Sequence, residues 1–413
     1  MAEPRLLVLS SLFPSPARPT AGIFIRERMF RVAKVLQISV LSPQPWFPGQ
    51  GLLRLLRPGY RPPAPRRETQ DGIDIFRPRF LALPGVGRWL DGLSMAVCSY
   101  PTVRRLRAGR GIQLIDAHFA HPDGEAGVRL GRWLGLPVTV TLRGTELPHS
   151  RDSRLRKRIA RTLTSANRVF PVSESLRQLA LNLGMPIDNA EVVGNGVDAA
   201  RFQPVDRAEA RRRLGLPDDA RVLVSVGALV ERKGMHRVIE CLPDLLQEHP
   251  SLHYLVVGGA SPEGDIGDRL KSLAASRGLA DRVRFLGPVP PDDLKWPLSA
   301  ADVFVLATSN EGWANVLLEA MACGLPVVTT DVGGNREVVC RPDLGIVVPA
   351  GDRDQLVSAL RAGLDRKWDS ARIRAYASEN NWDKRVQQLV RAFRSVVART
   401  PDPVGHPQAH GRR

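Results

Sequence analysis

Short apolar runs alternate with longer amphipathic stretches along nearly the whole chain. In the first half, residues 5–9, 38–41, 73–76, 112–116, 138–142 and 168–172 have the length and apolar continuity of buried strands. Residues 24–36 and 125–134 lie between them with helical spacing of apolar positions. The pattern then starts again. Residues 221–226, 254–257, 283–286, 303–307, 327–329 and 346–348 read as a second set of strands, with helices at 236–247 and 315–322. This alternation predicts βα units on a mostly parallel sheet, twice over. The break falls at 195–219, which holds Gly196-Val197-Asp198, Pro204 and Pro217. The boundary is therefore placed at about residue 205. Residues 43–67, rich in Pro, Gly, Arg and Trp, read as a long surface loop, and residues 399–413 as a disordered polar tail. Two doubly wound α/β domains imply a ligand cleft between them, facing the carboxyl ends of both sheets.

Composition agrees with a globular protein of two domains. The chain has 413 residues, 43% hydrophobic and 24% charged. No apolar run approaches the ~20 residues of a membrane span. Leu6-Leu7-Val8-Leu9 is too short for a signal peptide and is soon followed by Pro14 and Pro16, so it reads as the first strand. Cys98, Cys241, Cys323 and Cys340 show neither pairing nor metal-ligand spacing, which suits a reducing, cytoplasmic compartment.

Charge changes the picture more. The net charge is +17, and residues 1–201 carry 30 Lys+Arg against 15 Asp+Glu, whereas residues 202–413 carry 29 against 27. A basic first half suits an anionic partner, such as phospholipid at the inner membrane face or a lipid-linked acceptor. Genome preference for Arg is the competing explanation. Arg154, Lys157, Arg158 and Arg161 would share one helix face. No interleaved aromatic and basic platform points to nucleic acid.

Five segments carry candidate chemistry. The first is Glu311-Gly-Trp-Ala-Asn-Val-Leu-Leu-Glu319, between a strand and a helix. Free N–H groups at that helix start suit an anion, Glu311 lies in the loop before it, and Glu319 lies inside it. The second is Ser225-Val-Gly-Ala-Leu-Val-Glu-Arg-Lys-Gly234, which sets Arg232 and Lys233 beside a strand end. The third is the Gly22 turn after the first strand. The fourth is the segment 115–124, in which His118 leaves a strand end and His121 precedes Pro122-Asp123-Gly124. The fifth is 141–147, with Arg143 and Glu146, where Arg143 would hold an anionic acceptor or pair with Glu146.

These segments together resemble family 4 of the retaining glycosyltransferases, over roughly residues 5–398. The match to that family's E-x7-E motif is close. The resemblance implies the GT-B fold: an acceptor-binding Rossmann-like domain at 1–204, a nucleotide-sugar-binding one at 205–380, and a helix at 381–398 crossing back to the first. It further implies that Glu311 contacts the donor sugar and Glu319 the donor ribose. Backbone near Gly312, Trp313, Ala314 and Asn315 would serve the diphosphate, with Gly22, Arg232 and Lys233 nearby. His118 would lie near the reacting sugar, and His121 and Arg143 would face the acceptor. Where the family commonly has Arg after the first Gly of the second segment, this chain has Ala228, so Arg232 is the candidate replacement. Where the fifth segment often reads His-Gly-x-Asp, Arg143 and Glu146 replace two of those residues.

The expected reaction is sugar transfer from a nucleotide-diphosphate sugar to a glycan or lipid-linked acceptor with retention, without cofactor or metal. No Asp-x-Asp sits at a strand end, and Asp352-Arg-Asp354 reads as a helix cap. A nucleotide-sugar epimerase of the same fold and a catalytically silent sugar-nucleotide-binding relative are the alternatives.

Overall fold

The computed structural model describes residues 3–19, 21–56, 60–261 and 263–400. The proposed tail therefore lies outside the described residues from 401 onward. The chain forms two compact units. One runs to Val193 and resumes at Arg385; the other spans Gly194–Lys384.

Among the described residues, nine strands belong to the first unit: β1 Leu6–Leu9, β2 Ile38–Leu41, β3 Gln44–Trp46, β4 Arg67–Gln70, β5 Ile73–Phe76, β6 Arg79–Leu81, β7 Leu114–His118, β8 Val138–Leu142 and β9 Arg168–Pro171. Seven form one sheet in the order β4-β5-β2-β1-β7-β8-β9, parallel except for the β4–β5 pair. The chain winds outward from β1, then returns to β1's other side at β7. Every residue of β1, β7 and β8 is buried, as expected for a sheet covered on both faces.

The helix Trp382–Arg399 returns the chain to this unit. Its Val386, Leu389, Val390, Phe393 and Val396 are buried in one cluster with Leu6, Val8 and Phe170. The Phe170 and Phe393 rings meet edge to face at 5.7 Å. Gln388 donates to Glu191 (2.9 Å), and Arg394 pairs with Glu3 (2.6 Å).

Among the described residues, the second unit has six strands, all parallel: β10 Arg221–Val226, β11 Leu252–Val257, β12 Val283–Gly287, β13 Val303–Leu306, β14 Val327–Thr330 and β15 Gly345–Val348. Their order, β12-β11-β10-β13-β14-β15, reverses between β10 and β13. Asp352 caps the helix Arg353–Asp365 by accepting from Gln355 N (3.0 Å).

The compact units differ in extent from the expected domains: they divide at 193/194 and 384/385 rather than at 204/205 and 380/381. Residues just after 193 pack on the second unit. A Cβ on Gly194 would come 2.8 Å from the Trp313 ring, and Val197 N donates to Asn380 O at 3.1 Å. The supposed loop at 43–67 contains β3, the helix Gln50–Leu56 and the first residue of β4. Pro45 stands inside β3, which among the described residues pairs only with β6, so its missing N–H is tolerated at a sheet edge. On the helix Ser153–Ser165, Arg154, Lys157 and Arg161 are exposed, while Arg158 pairs with Glu125 (3.0 Å), and Arg154 and Arg158 lie over Trp89 at 6.0 and 5.7 Å. Leu155, Ile159 and Leu163 on the same helix are buried.

Candidate active site

The strand order of the second unit reverses between β10 and β13, and it is past the carboxyl ends at such a reversal that open α/β sheets take their ligands. Lys233 follows β10 and Glu311 follows β13. Lys233 Nζ lies 2.5 Å from Glu311 Oε1, and Arg232 Nη1 is 3.3 Å from the same oxygen. Thr308 Oγ1 donates to it at 3.3 Å. One carboxylate oxygen is thus fixed by two cations and a hydroxyl.

Close backbone contacts hold the surrounding loops. Gly234 has φ +77°, and a Cβ there would stand 1.9 Å from Ala307 O. Gly333 has φ +54°, and a Cβ would stand 1.7 Å from Glu311 O. Only glycine permits both the left-handed backbone and these approaches. Ser309 N donates to Arg232 O (2.8 Å), and Gly334 N to Gly312 O (3.2 Å), so three loops are tied around Glu311.

The helix Asn315–Ala322 starts four residues beyond Glu311, and its N-cap Ala314 supplies no side-chain cap. Its first backbone N–H groups therefore lack an intrahelical partner. Asn315 Oδ1 accepts from Asn195 Nδ2 (2.8 Å). The indole N–H of Trp313 has no partner among the described residues. Glu319 is half-buried one turn along the helix. Arg232, Lys233, Glu311 and Gly312 thus share one cluster, continued by Trp313, Ala314 and Asn315 into the helix that carries Glu319.

Arg232 is less free than the sequence suggested. Its Nε and Nη2 donate to Glu263 at 2.6 and 2.7 Å, which raises its pKa, and the same pairing lowers that of Glu263. Glu263 was not foreseen; the only signal was an acidic residue in the loop after β11.

The first unit assembles a different cluster, also past strand carboxyl ends. His118 closes β7 and is fully buried. Arg143 donates through Nε and Nη2 to His118 Nδ1, both at 3.1 Å, and its guanidinium lies 5.0 Å from the Phe24 ring centre. His118 Nε2 stands 3.4 Å from Asp116 Oδ2 and makes no hydrogen bond among the described residues. Burial and the Arg143 charge hold the His118 pKa down at about 4, against the opposing pull of Asp116. His118 is thus neutral near pH 7. Because Nδ1 accepts, the ring proton resides on Nε2. Burial also pulls the Arg143 pKa well below its usual value.

Neither proposed partnership of Arg143 is simple. Its guanidinium meets His118, while Glu146 accepts backbone N–H groups from Ala120 (3.0 Å), Arg143 (3.2 Å) and Gly144 (2.8 Å). His121 uses both ring nitrogens internally, toward Glu125 (3.2 Å) and Arg88 O (2.9 Å). Its side chain is buried in this arrangement. Gly22 has φ +70°, and a Cβ there would come 2.3 Å from Leu12 O, so the turn itself demands glycine.

Asp123 is the residue that the sequence concealed most. It is fully buried and accepts from Ser11 N and from Ser11 Oγ (3.0 Å), joining the loop after β1 to the segment after β7. Burial raises its pKa to about 7 despite those bonds. Asp123 reads as part of a helix start, and nothing local reveals a partner 112 positions away.

Comparison with known proteins supports the same organisation. The family model for glycosyl transferases group 1 matches residues 206–381, and that for glycosyltransferase family 4 matches residues 53–201. The Bacillus subtilis (strain 168) protein TuaC, named as a teichuronic acid biosynthesis glycosyltransferase, is 32% identical over 341 residues, covering 80% of this chain and 82% of its own. The sucrose-phosphate synthase of Thermosynechococcus elongatus superposes with a TM-score of 0.78 at 21% identity, over 96% of this chain and 100% of that one. The Anabaena HepE protein, solved in complex with UDP-glucose, gives 0.69 at 20% identity, over 95% and 100%.

Proposed function

This chain belongs to glycosyltransferase family 4, with two Rossmann-like domains of the GT-B type, and we propose that it transfers a hexose from a nucleoside-diphosphate sugar, with retention and without a metal. The observation that carries this reading is the Lys233–Glu311 contact at the strand-order reversal, beside the uncapped start of the helix Asn315–Ala322. An anionic diphosphate gains there from Lys233 and from free backbone N–H groups. Glu311 accepts from donor sugar hydroxyls, and Glu319 from the ribose. The HepE complex with UDP-glucose supports a nucleotide-sugar donor in a protein of this fold.

As the donor C1–O bond loosens, positive charge grows at C1 and negative charge on the departing phosphate oxygen. Lys233 stabilises the latter. The acceptor hydroxyl attacks from the face the diphosphate leaves and passes its proton to the departing oxygen. His118, neutral and protonated on Nε2, donates a hydrogen bond rather than removing a proton. The first unit binds a glycan or lipid-linked acceptor of cell-surface polysaccharide or glycolipid synthesis. TuaC's name supports such a pathway, and the excess arginines of the first half suit a cytoplasmic protein resting on anionic lipid. Among the described residues no helix is long and apolar enough to cross a membrane.

A thermal-shift screen of nucleotide sugars identifies the donor, because a ligand that binds the folded state stabilises it by mass action. Incubation of that donor with glycan and lipid-linked acceptors, with and without EDTA, then tests transfer. The product's anomeric coupling constant reports retention. An inverted product, or activity lost to EDTA and restored by Mg²⁺, overturns those parts of the reading.

A further inference from the structure

The second unit carries a cavity of about 340 Å³ at the opposite end of its sheet. Its wall includes Arg221, which opens β10, Asp302, which precedes β13, and Pro326, which precedes β14. Lys233 and Glu311 follow the other ends of β10 and β13. Strands of four to six residues separate the two places by roughly 13–20 Å.

Four arginines line the cavity, Arg207, Arg221, Arg366 and Arg374, against one carboxylate, Asp302. That carboxylate is already shared. It accepts from Val222 N (2.8 Å), pairs with Arg207 and lies 3.2 Å from Arg211 Nη2. Arg221 approaches it only to 4.0 Å. Arg366 donates to Pro342 O (3.0 Å) and lies over Trp368 at 4.3 Å. Arg374 has neither an ion pair nor a side-chain hydrogen bond among the described residues; its Cγ rests beside Gly324, 3.5 Å from where a Cβ would be. The cavity therefore holds positive charge that the protein does not neutralise. Leu298, Leu325, Pro326 and Leu364 form an apolar part of the wall, beside Ser299 and Ser370. The Trp368 indole donates to Gly363 O (2.9 Å), which fixes the ring.

We propose that this cavity is a second binding site, for a small organic phosphate. Its phosphate would bridge Arg221 and Arg374, and its apolar part would lie on the leucine and proline wall. Arginine forks match phosphate oxygens, and a dianion between like charges relieves their repulsion. The volume lies within the range of small-molecule sites. The site is joined to the Glu311 loop by one element. The helix Asn315–Ala322 starts beside that loop and ends at Cys323 and Gly324, both in the cavity wall. At eight residues it spans only about 12 Å.

Calorimetric titration of the full chain with phenyl phosphate and with inorganic phosphate tests the site. Phenyl phosphate should bind once and more tightly than inorganic phosphate, because only it uses the apolar wall. Arg374→Ala should weaken it about tenfold or more, the effect of one lost charged hydrogen bond. Arg221→Ala should do the same, and Lys233→Ala should leave it unchanged. Arg374 is exposed and unpaired, so its removal should not move the melting temperature. Two results overturn the proposal. One is no saturable binding of either probe up to about 10 mM. The other is binding lost in Lys233→Ala and untouched in Arg374→Ala, which would place the phosphate at the Glu311 cluster. The Arg374 and Lys233 variants thus separate failure of this site from failure of the donor reading.

Discussion

Arg143 and His118 form an unusual pair: two guanidinium N–H groups converge on His118 Nδ1, each at 3.1 Å. The contact sets which ring nitrogen carries the proton and opposes protonation of the other. Arg143→Met removes both donors and the charge. The His118 pKa should then rise from about 4 toward its ordinary value, and the Nε2-protonated tautomer should lose its dominance. Long-range ¹H–¹⁵N spectra report both quantities, with His118→Gln assigning the signal. An unaltered tautomer in Arg143→Met would show that Asp116, 3.4 Å from Nε2, sets it instead.

Lys233 and Arg232 should differ in weight. Lys233 points to Glu311, whereas Arg232 is held mainly by Glu263. Lys233→Ala should lower turnover on the order of 10²–10³-fold, the scale of a lost charge-stabilising donor. Arg232→Ala should cost about tenfold, because much of its charge is already spent on Glu263. Steady-state turnover at saturating donor checks the ranking, and equal losses would show that Arg232 leaves Glu263 when donor binds.

Gly333 should be as necessary to the site as its charged residues. A methyl group at Gly333 would lie 1.7 Å from Glu311 O, on a backbone at φ +54°. Gly333→Ala should cost roughly 1–3 kcal/mol of stability or displace the Glu311 loop. Thermal denaturation reads the first and turnover the second. A variant with wild-type melting and wild-type turnover would refute the proposed clamp.

The contrast between Gly333 and Glu311 shows how far the sequence was legible. Glu311 and Glu319 share one local strand–loop–helix pattern, whereas Lys233 meets Glu311 across 78 positions and is placed near it only by the family resemblance. The parallel strands were equally readable because burial on both faces makes them continuously apolar. Gly333 meets Glu311, Glu263 meets Arg232, and Asp123 meets Ser11 only through tertiary packing. No periodicity encodes such contacts. The end of the first compact unit at Val193 is unreadable for the same reason, since Gly194 lies against the Trp313 ring 119 positions later. His121 was the opposite case: a histidine with a promising local setting proved to have both nitrogens engaged.

Asp123 makes a prediction about pH. Its folded pKa is raised to about 7, while an unfolded aspartate titrates near ~4. Between these values the folded protein keeps a proton that the unfolded chain releases. Stability should therefore fall as pH rises through that window, with the cost absent below it and complete above it. The cost should be on the order of a few kcal/mol. His118 acts in the other sense. Its folded pKa is depressed to about 4, so its contribution is lost as pH falls below its ordinary value. Total stability thus blends two opposed slopes, and the useful quantity is the difference between wild type and Asp123→Asn. Asparagine can still accept from Ser11 N and can donate to Ser11 Oγ, so the link between the two loops survives. Urea denaturation at a series of pH values from 4 to 8 should show Asp123→Asn gaining on wild type as pH rises, then holding a constant advantage once Asp123 is ionised. Parallel stability curves across the whole range would mean that Asp123 is not held protonated by its burial, and that its bonds to Ser11 keep it ionised.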